Sequence, residues 1–457
     1  MKRYIVAVVL FFVLILVAFF GYRGYQIFKT KEPITLTLWH NYGGQMKNTM
    51  DEMIDEFNES VGAEQGVIIN VTSISSNSNL HEKLTMAING DPGAPELPDI
   101  TTAYPKTALR LMEKDLLVDL TQYFTDEELL AYMPTFLEEG KLGKDGLYVF
   151  PTAKSTEVLF VNTTIFNRFA QDTGARLKDL ETFEGIKKTA ELYHQWSNGK
   201  MFYLPDSLFN FTQIGCKQLG SDFLTEDGFD LSNAHLSRIL KNYFEPAVLG
   251  HVAIYDGYAS DLAKTGEIVC STGSTAGVVF FSPKVTYEDN TTESADFAIL
   301  PYPTFDGGKK IALQRGGGMC IIKTNEQKEH GASIFLKWFT SPENNLRFIS
   351  STGYLPVTME AFEEIMSAEM DHHRDENIKK LLYTARIMKE EYDFYVPPIC
   401  KGMDEMQDEY EKLFLKTAKK SRDAYLELLK ENNPDMAYNI ATKDIYQCFI
   451  NELDGIK

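Results

Sequence analysis

After residue 33 the chain opens as strand, helix, strand, and this order restricts the fold more than any other feature. Ile34-Thr35-Leu36-Thr37-Leu38-Trp39 alternates with period two, the spacing of a half-buried strand. A Gly43-Gly44 turn follows, and then Met46, Met50, Met53, Ile54 and Phe57 recur along one face of a helix. Val67-Ile68-Ile69-Asn70-Val71 reads as the second strand. Strands joined through a helix run parallel, which puts the chain in the α/β class. The alternation continues with a helix over Leu80–Ile88, a strand at Pro98-Asp99-Ile100 and a helix over Thr107–Glu113.

Three segments, 151–157, 314–318 and 352–356, mix Gly, Pro and polar residues between apolar strands. The first is predicted as a polar link, Thr152–Glu157, between strands at Leu147–Pro151 and Val158–Val161. The second holds Arg315-Gly316-Gly317-Gly318 and leads into a strand, Met319–Ile322. A phosphate cradle leads into a helix N-terminus instead, so these glycines read as backbone passing close to a crossing chain. Before the third, Ser341 as N-cap and Pro342 at N1 start a helix that Gly353 ends and Pro356 keeps from continuing. Further helices are predicted over Ile378–Tyr392 and Met403–Leu429.

Length and composition narrow the function classes. At ~100–200 residues per domain, 457 residues make two domains or two lobes of one unit. A net charge of −20 gives the wrong field for nucleic acid, so no nucleic-acid partner is expected. Five cysteines without a CxxC pair make neither a disulfide framework nor a zinc site. At the start, Lys2 and Arg3 precede an unbroken apolar run, Ile5–Phe20. Its sixteen residues extend about 24 Å as a helix, which Gly21-Tyr22 lengthens toward the ~30 Å of a bilayer core. The basic flank should stay cytoplasmic, so the body is exported. Residues 1–28 are read as an uncleaved membrane anchor, because Val17-Ala18-Phe19-Phe20 lacks a small-x-small cleavage pattern; a cleaved signal peptide is the alternative.

No catalytic signature emerges. GxSxG, HExxH and the P-loop pattern are absent from the sequence. His372-His373, near Asp371 and Glu376, would point to different sides of a helix and reads as solvated surface. The expectation is a protein that is not an enzyme and holds no cofactor or metal. An anchored, glycan-active extracellular enzyme is the rival from another class.

Several segments in order resemble the extracellular solute-binding proteins of ABC importers, in the cluster with the glycerol-3-phosphate- and maltose-binding proteins. Leu36–Asn41 is similar to that family's first strand and loop, and Gly146–Asn162 to its first crossing between lobes. Glu267–Ser274 resembles a strand and small-residue turn facing the ligand, and Phe297–Pro301 the approach to a second crossing at Arg315-Gly316-Gly317. Phe335–Phe339, Ser341–Asn344 and Thr352–Pro356 carry the most specific likeness. The resemblance implies a two-lobed periplasmic-binding-protein fold of type II, with lobes joined by three chain crossings. Its first lobe would comprise 34–152 and 316–353, and its second 153–315 and a helical 354–457.

The resemblance also implies ligand contacts at the crossings. Trp39, Tyr42 and Gly43 sit at the end of the first strand, where open α/β sheets place ligands. Ser155, Ser274 and Tyr354 occupy family contact positions, Gly316 and Gly317 offer backbone N–H groups, and Phe209 lies in the stacking segment of the second lobe. The glycerol-phosphate branch has an arginine in the segment matching Pro397–Met403. Here Lys401 stands in that segment as the candidate contact, with no arginine from 387 to 421. A lysine lacks the bidentate fork for phosphate, so a neutral sugar or oligosaccharide is expected ahead of glycerol 3-phosphate or a glycerophosphodiester. The implied partners are membrane permease subunits of an ABC importer, or alternatively a membrane sensor.

Overall fold

The computed structural model describes residues 33–225, 228–364, 375–398 and 402–455. The apolar segment 1–28, the pair His372-His373 and Lys401 lie outside the described residues. Among the described residues no helix is long and apolar enough to cross a membrane.

The opening unit forms as its pattern predicts. Strand β1 (Ile34–His40) leads into helix α1 (Gly44–Glu59), which buries Met46, Met50, Met53, Ile54 and Phe57. Strand β2 (Val67–Ser73) then pairs parallel to β1 from Ile34–Val67 to His40–Ser73. Strand β3 (Ile100–Ala103) adds on the other side of β1, also parallel. Strand β4 (Phe150–Ser155) completes what the N-terminal part contributes to this sheet.

A second sheet is built from β5 (Glu157–Asn162), β6 (Tyr203–Pro205), β7 (Cys270–Ser274) and β8 (Phe297–Pro301), in the order β8-β5-β7-β6. Helix α2 (Leu208–Gln218) follows β6 and is buried on nearly all sides. After β9 (Ile311–Leu313) the chain returns to the first sheet as β10 (Arg315–Ile321), which lies antiparallel between β3 and β4. The first sheet therefore reads β2-β1-β3-β10-β4.

Among the described residues two chain passes run directly from strand to strand between the bodies, and each is shorter than the sequence suggests. Only Thr156 separates β4 from β5, and only Gln314 separates β9 from β10. The predicted polar link Thr152–Glu157 is continuous strand apart from Thr156. Its polar side chains find partners instead of solvent: Lys154 pairs with Glu139, and Glu157 with Arg315. Likewise Ser271–Ser274, predicted as a turn, is strand β7 paired with β5.

Helices α3 (Glu326–Phe339) and α4 (Pro342–Thr352) belong to the first body. Pro342 takes N1 and Gly353 ends α4 at φ +74°, as predicted, but the Ser341 hydroxyl donates to the Trp338 carbonyl (2.9 Å) instead of capping. The expected division at 354 falls early. The Leu355 N–H donates to the Lys154 carbonyl, Met133 N–H donates to Val357, and Thr358 bridges to Tyr132, so 355–358 stay with the first body.

Helix α5 (Glu376–Glu391) packs on the second sheet, where Thr384 donates to the Ile299 carbonyl at 2.7 Å. Strand β11 (Asp393–Tyr395) pairs with β9. Helix α6 (Met403–Leu428) lies against α2, with the Thr212 and Tyr410 hydroxyls 2.6 Å apart.

Candidate functional site

A cavity of about 280 Å³ lies where the two passes meet the strand ends. Its walls come from both bodies. Tyr104 just beyond β3, Ser155 at the end of β4, Gly316 on β10 and Tyr354 after α4 supply one side. Phe209, Asn210 and Gln213 on α2, with Ser274 at the end of β7, supply the other. Gln314 and Arg315, at the second pass, lie at the junction. Ligand grooves of open α/β sheets form at such carboxyl ends of strands.

Five of the predicted contacts are thus brought together: Ser155, Phe209, Ser274, Gly316 and Tyr354. Gly316 is there for a steric reason. Its φ is +89°, and a Cβ would lie 2.3 Å from the Ala153 carbonyl oxygen and 2.8 Å from Lys154 Cα. Phe209 is almost wholly buried and packs edge-on to Tyr410 at 5.7 Å, so it forms wall more than platform.

The other predicted contacts stand elsewhere. Trp39 packs with Ile74, Leu80 and Leu84 in a small core of its own. Tyr42 is buried against Phe348, 5.3 Å away, and Tyr354, 6.2 Å away, so it backs the wall instead of facing the cavity. Gly43 is the exposed N-cap of α1. Gly317 sits in the β10 ladder, where a Cβ would come within 2.9 Å of the Ala103 carbonyl oxygen. Lys401 is outside the described residues.

The chemistry that sequence reasoning missed is a buried polar network. Arg315 Nη1 donates to Glu157 Oε1 at 2.8 Å and to Asp206 Oδ2 at 3.2 Å. Asn210 Nδ2 donates to the same Glu157 oxygen at 2.8 Å, and Gln213 Nε2 donates to Asn210 Oδ1 at 2.9 Å. Burial pushes the Glu157 carboxyl above its ordinary range; Arg315 opposes this and Asp206 adds to it. Across the junction, Glu139 accepts from both Lys154 and Gln314.

One guanidinium thus faces two carboxylates, and its positive charge is already spoken for. The signal for this network lay in α2, where Asn210, Thr212 and Gln213 interrupt an otherwise apolar run from Leu208 to Ile214. Its partners on the strands are too distant in sequence for any local pattern to reveal.

A larger, open depression of about 1590 Å³ lies on the second body between Lys200, Lys284 and Arg422. It touches neither pass nor the first body, so closure of the bodies would not enclose it.

Two α/β bodies joined by strand-to-strand passes, with a polar and aromatic cavity at those passes, define a protein that takes a solute between its lobes. The chain belongs to the bacterial extracellular solute-binding protein family, which its residues 52–375 match. Among its relatives is the sn-glycerol-3-phosphate-binding periplasmic protein of Salmonella typhimurium, 22% identical over 351 residues that cover 72% of this chain and 75% of that one.

Solved structures share the two-lobed fold. The cyclic alpha-maltosyl-1,6-maltose binding protein of Arthrobacter globiformis superposes with a TM-score of 0.66 at 18% identity, over 92% of this chain and 100% of its own. UgpB of Mycobacterium tuberculosis, solved in complex with glycerophosphocholine, gives 0.67 at 16% identity, over 92% and 99%. An ABC substrate-binding protein of Listeria monocytogenes in complex with cycloalternan gives 0.65 at 17%, over 93% and 100%.

Proposed function

We propose that the chain is the extracytoplasmic binding subunit of an ABC importer, and that it takes a neutral sugar or oligosaccharide between its lobes. The observation that carries the ligand class is the state of Arg315. It is the cavity's one guanidinium among the described residues, and Glu157 and Asp206 already hold it. An anionic ligand would have to displace a carboxylate or sit beside one. A neutral polyol instead finds hydroxyl, amide and aromatic groups, the usual lining for alternating hydroxyl and C–H faces. Relatives that bind maltosyl sugars and cycloalternan support this reading.

Glycerol 3-phosphate or a glycerophosphodiester is the second reading, favoured by the Salmonella and Mycobacterium relatives. Ser155, Ser274, Gly316, Tyr354 and Phe209 are proposed as contacts, with Lys401 as a further one on the late segment. Ligand touching both bodies favours their closed arrangement, and the closed form docks on the permease. Residues 1–28 hold the receptor at the outer face of the membrane, which raises its effective concentration near the permease.

The test is ligand-induced melting of the purified protein against maltose, mannotriose, glycerol 3-phosphate and glycerophosphocholine, with mass spectrometry of whatever co-purifies. A shift with the phosphates alone sinks the sugar reading, and product formation from a glycan makes the protein an enzyme. Recovery of the whole chain in a carbonate-washed membrane fraction tests the anchor; release of a shortened chain refutes it.

A further inference from the structure

Two glutamines of the cavity wall are held in one amide orientation by carboxylates, and in both the carbonyl oxygen is left over. On the second body the chain of hydrogen bonds ends on Glu157 as acceptor. A carboxylate only accepts, so Asn210 must turn its Nδ2 toward it (2.8 Å) and its Oδ1 away. Oδ1 in turn requires the Nε2 of Gln213, 2.9 Å away. Gln213 Oε1 is then the free end of the relay; it is buried and receives no hydrogen bond among the described residues. At the second pass the same logic repeats. Gln314 Nε2 donates to the Glu139 carboxylate and to the Thr135 carbonyl at 3.3 Å, both of them acceptors. Gln314 Oε1 is likewise buried and receives no hydrogen bond among the described residues.

Both residues line the cavity, and only 2% of Gln213 and 3% of Gln314 is exposed. A buried acceptor without a donor is costly, and here two recur, one on α2 and one at the pass between bodies. Flipping either amide does not relieve the cost, because it would set an oxygen against a carboxylate or against Asn210 Oδ1. No group among the described residues donates to either oxygen, which leaves both open to a donor that the ligand brings.

We propose that Gln213 and Gln314 are specificity-determining residues that each accept a hydroxyl hydrogen from the ligand. This rests on the reading of the cavity as the solute site, and it names what that site selects: a ligand that presents two O–H donors, one toward each body. Ionised phosphate and carboxylate oxygens offer lone pairs only, so such groups cannot face either glutamine. A site with unpaired polar ends rejects an analogue lacking the matching group far more strongly than an apolar pocket does.

The experiment uses the whole protein and the isosteric variants Gln213→Met and Gln314→Met. Affinities for maltose, mannotriose and glycerol 3-phosphate are measured by calorimetry, followed by a deoxyfluoro series of whichever sugar binds. Fluorine replaces a hydroxyl at similar size but cannot donate. Each variant is expected to bind that sugar roughly tenfold more weakly, while its own unliganded melting point stays within a few degrees. At one ring position fluorination should weaken the wild type by a similar factor and leave the matching variant nearly unchanged. Sugar binding that both variants retain at wild-type strength overturns the proposal, as do fluorine penalties equal in wild type and variants. Preference for glycerol 3-phosphate with both variants unaffected overturns it too. If the wild type binds none of the probes, the reading of the cavity as a solute site falls first and this inference with it.

Discussion

Gly316→Ala offers the most direct check on how the second pass is built. At φ +89° any side chain is strained, by about 1–2 kcal/mol for a left-handed conformation. The added Cβ would also meet the Ala153 carbonyl oxygen at 2.3 Å, Lys154 Cα at 2.8 Å and the Ser155 nitrogen at 2.9 Å. All three are backbone atoms of β4, so no flexible side chain can move aside. Relief comes only by parting β10 from β4, which loses one or two ladder hydrogen bonds worth about 1 kcal/mol each. The sum is about 2–4 kcal/mol. Urea unfolding should show it as a lower midpoint at unchanged slope. Gly277→Ala is the control, since its Cβ meets nothing within 4 Å and its φ is not positive; it should lie within about 0.5 kcal/mol of wild type. A Gly316→Ala protein as stable as the control would refute the close-approach argument.

Three further outcomes are expected. Lys154→Met should cost about 3–5 kcal/mol, because Glu139 would keep a buried charge with only Gln314 to answer it; thermal melts should show recovery in Lys154→Met/Glu139→Gln. Burial holds the His40 imidazole down at about 4, so its contribution to stability is complete above pH 6.5 and is lost as pH falls from there toward 4. One proton sets a limit of about 1.4 kcal/mol per pH unit, and a His40→Gln variant whose acid limb is as steep as that of wild type would contradict this. Trp39→Ala should destabilise by about 3–5 kcal/mol through its small core, yet leave solute affinity unchanged in the folded fraction. Weaker binding by calorimetry at full folding would restore Trp39 as a contact.

Local pattern revealed the opening strand–helix–strand unit well, because β1, α1 and β2 are neighbours in sequence and α1 buries the very stripe that its spacing marks. Gly316 was legible for a related reason: a glycine run beside a strand has few uses other than close backbone approach. Trp39 was not. Alternation shows that it faces one side of the sheet, but Leu80 and Leu84, which cover that side, belong to a later helix whose placement no spacing in β1 encodes. The polar network was hidden by distance. Arg315 meets residues 158 and 109 positions away, and Glu139 meets Gln314 across 175. A half-buried arginine and a buried glutamate look, in sequence, like any other charges on a chain with 65 carboxylates.

The two passes are also fastened to each other. Thr156 Oγ1 donates to the Leu313 carbonyl at 2.8 Å, and Arg315 pairs with Ser155 across the ladder. Mechanically this is a leaf spring with two bonded leaves. Such a spring flexes most readily about the line across its leaves, through Thr156 and Gln314, the single residues between the strands. It resists sliding and twisting in its own plane, because either would shear hydrogen bonds between the leaves. These two leaves by themselves therefore favour flexing over sliding or twisting. A pair of distance probes placed on opposite bodies, across that line, would follow the flexing, and a second pair along it would expose any sliding that the bonded leaves failed to resist.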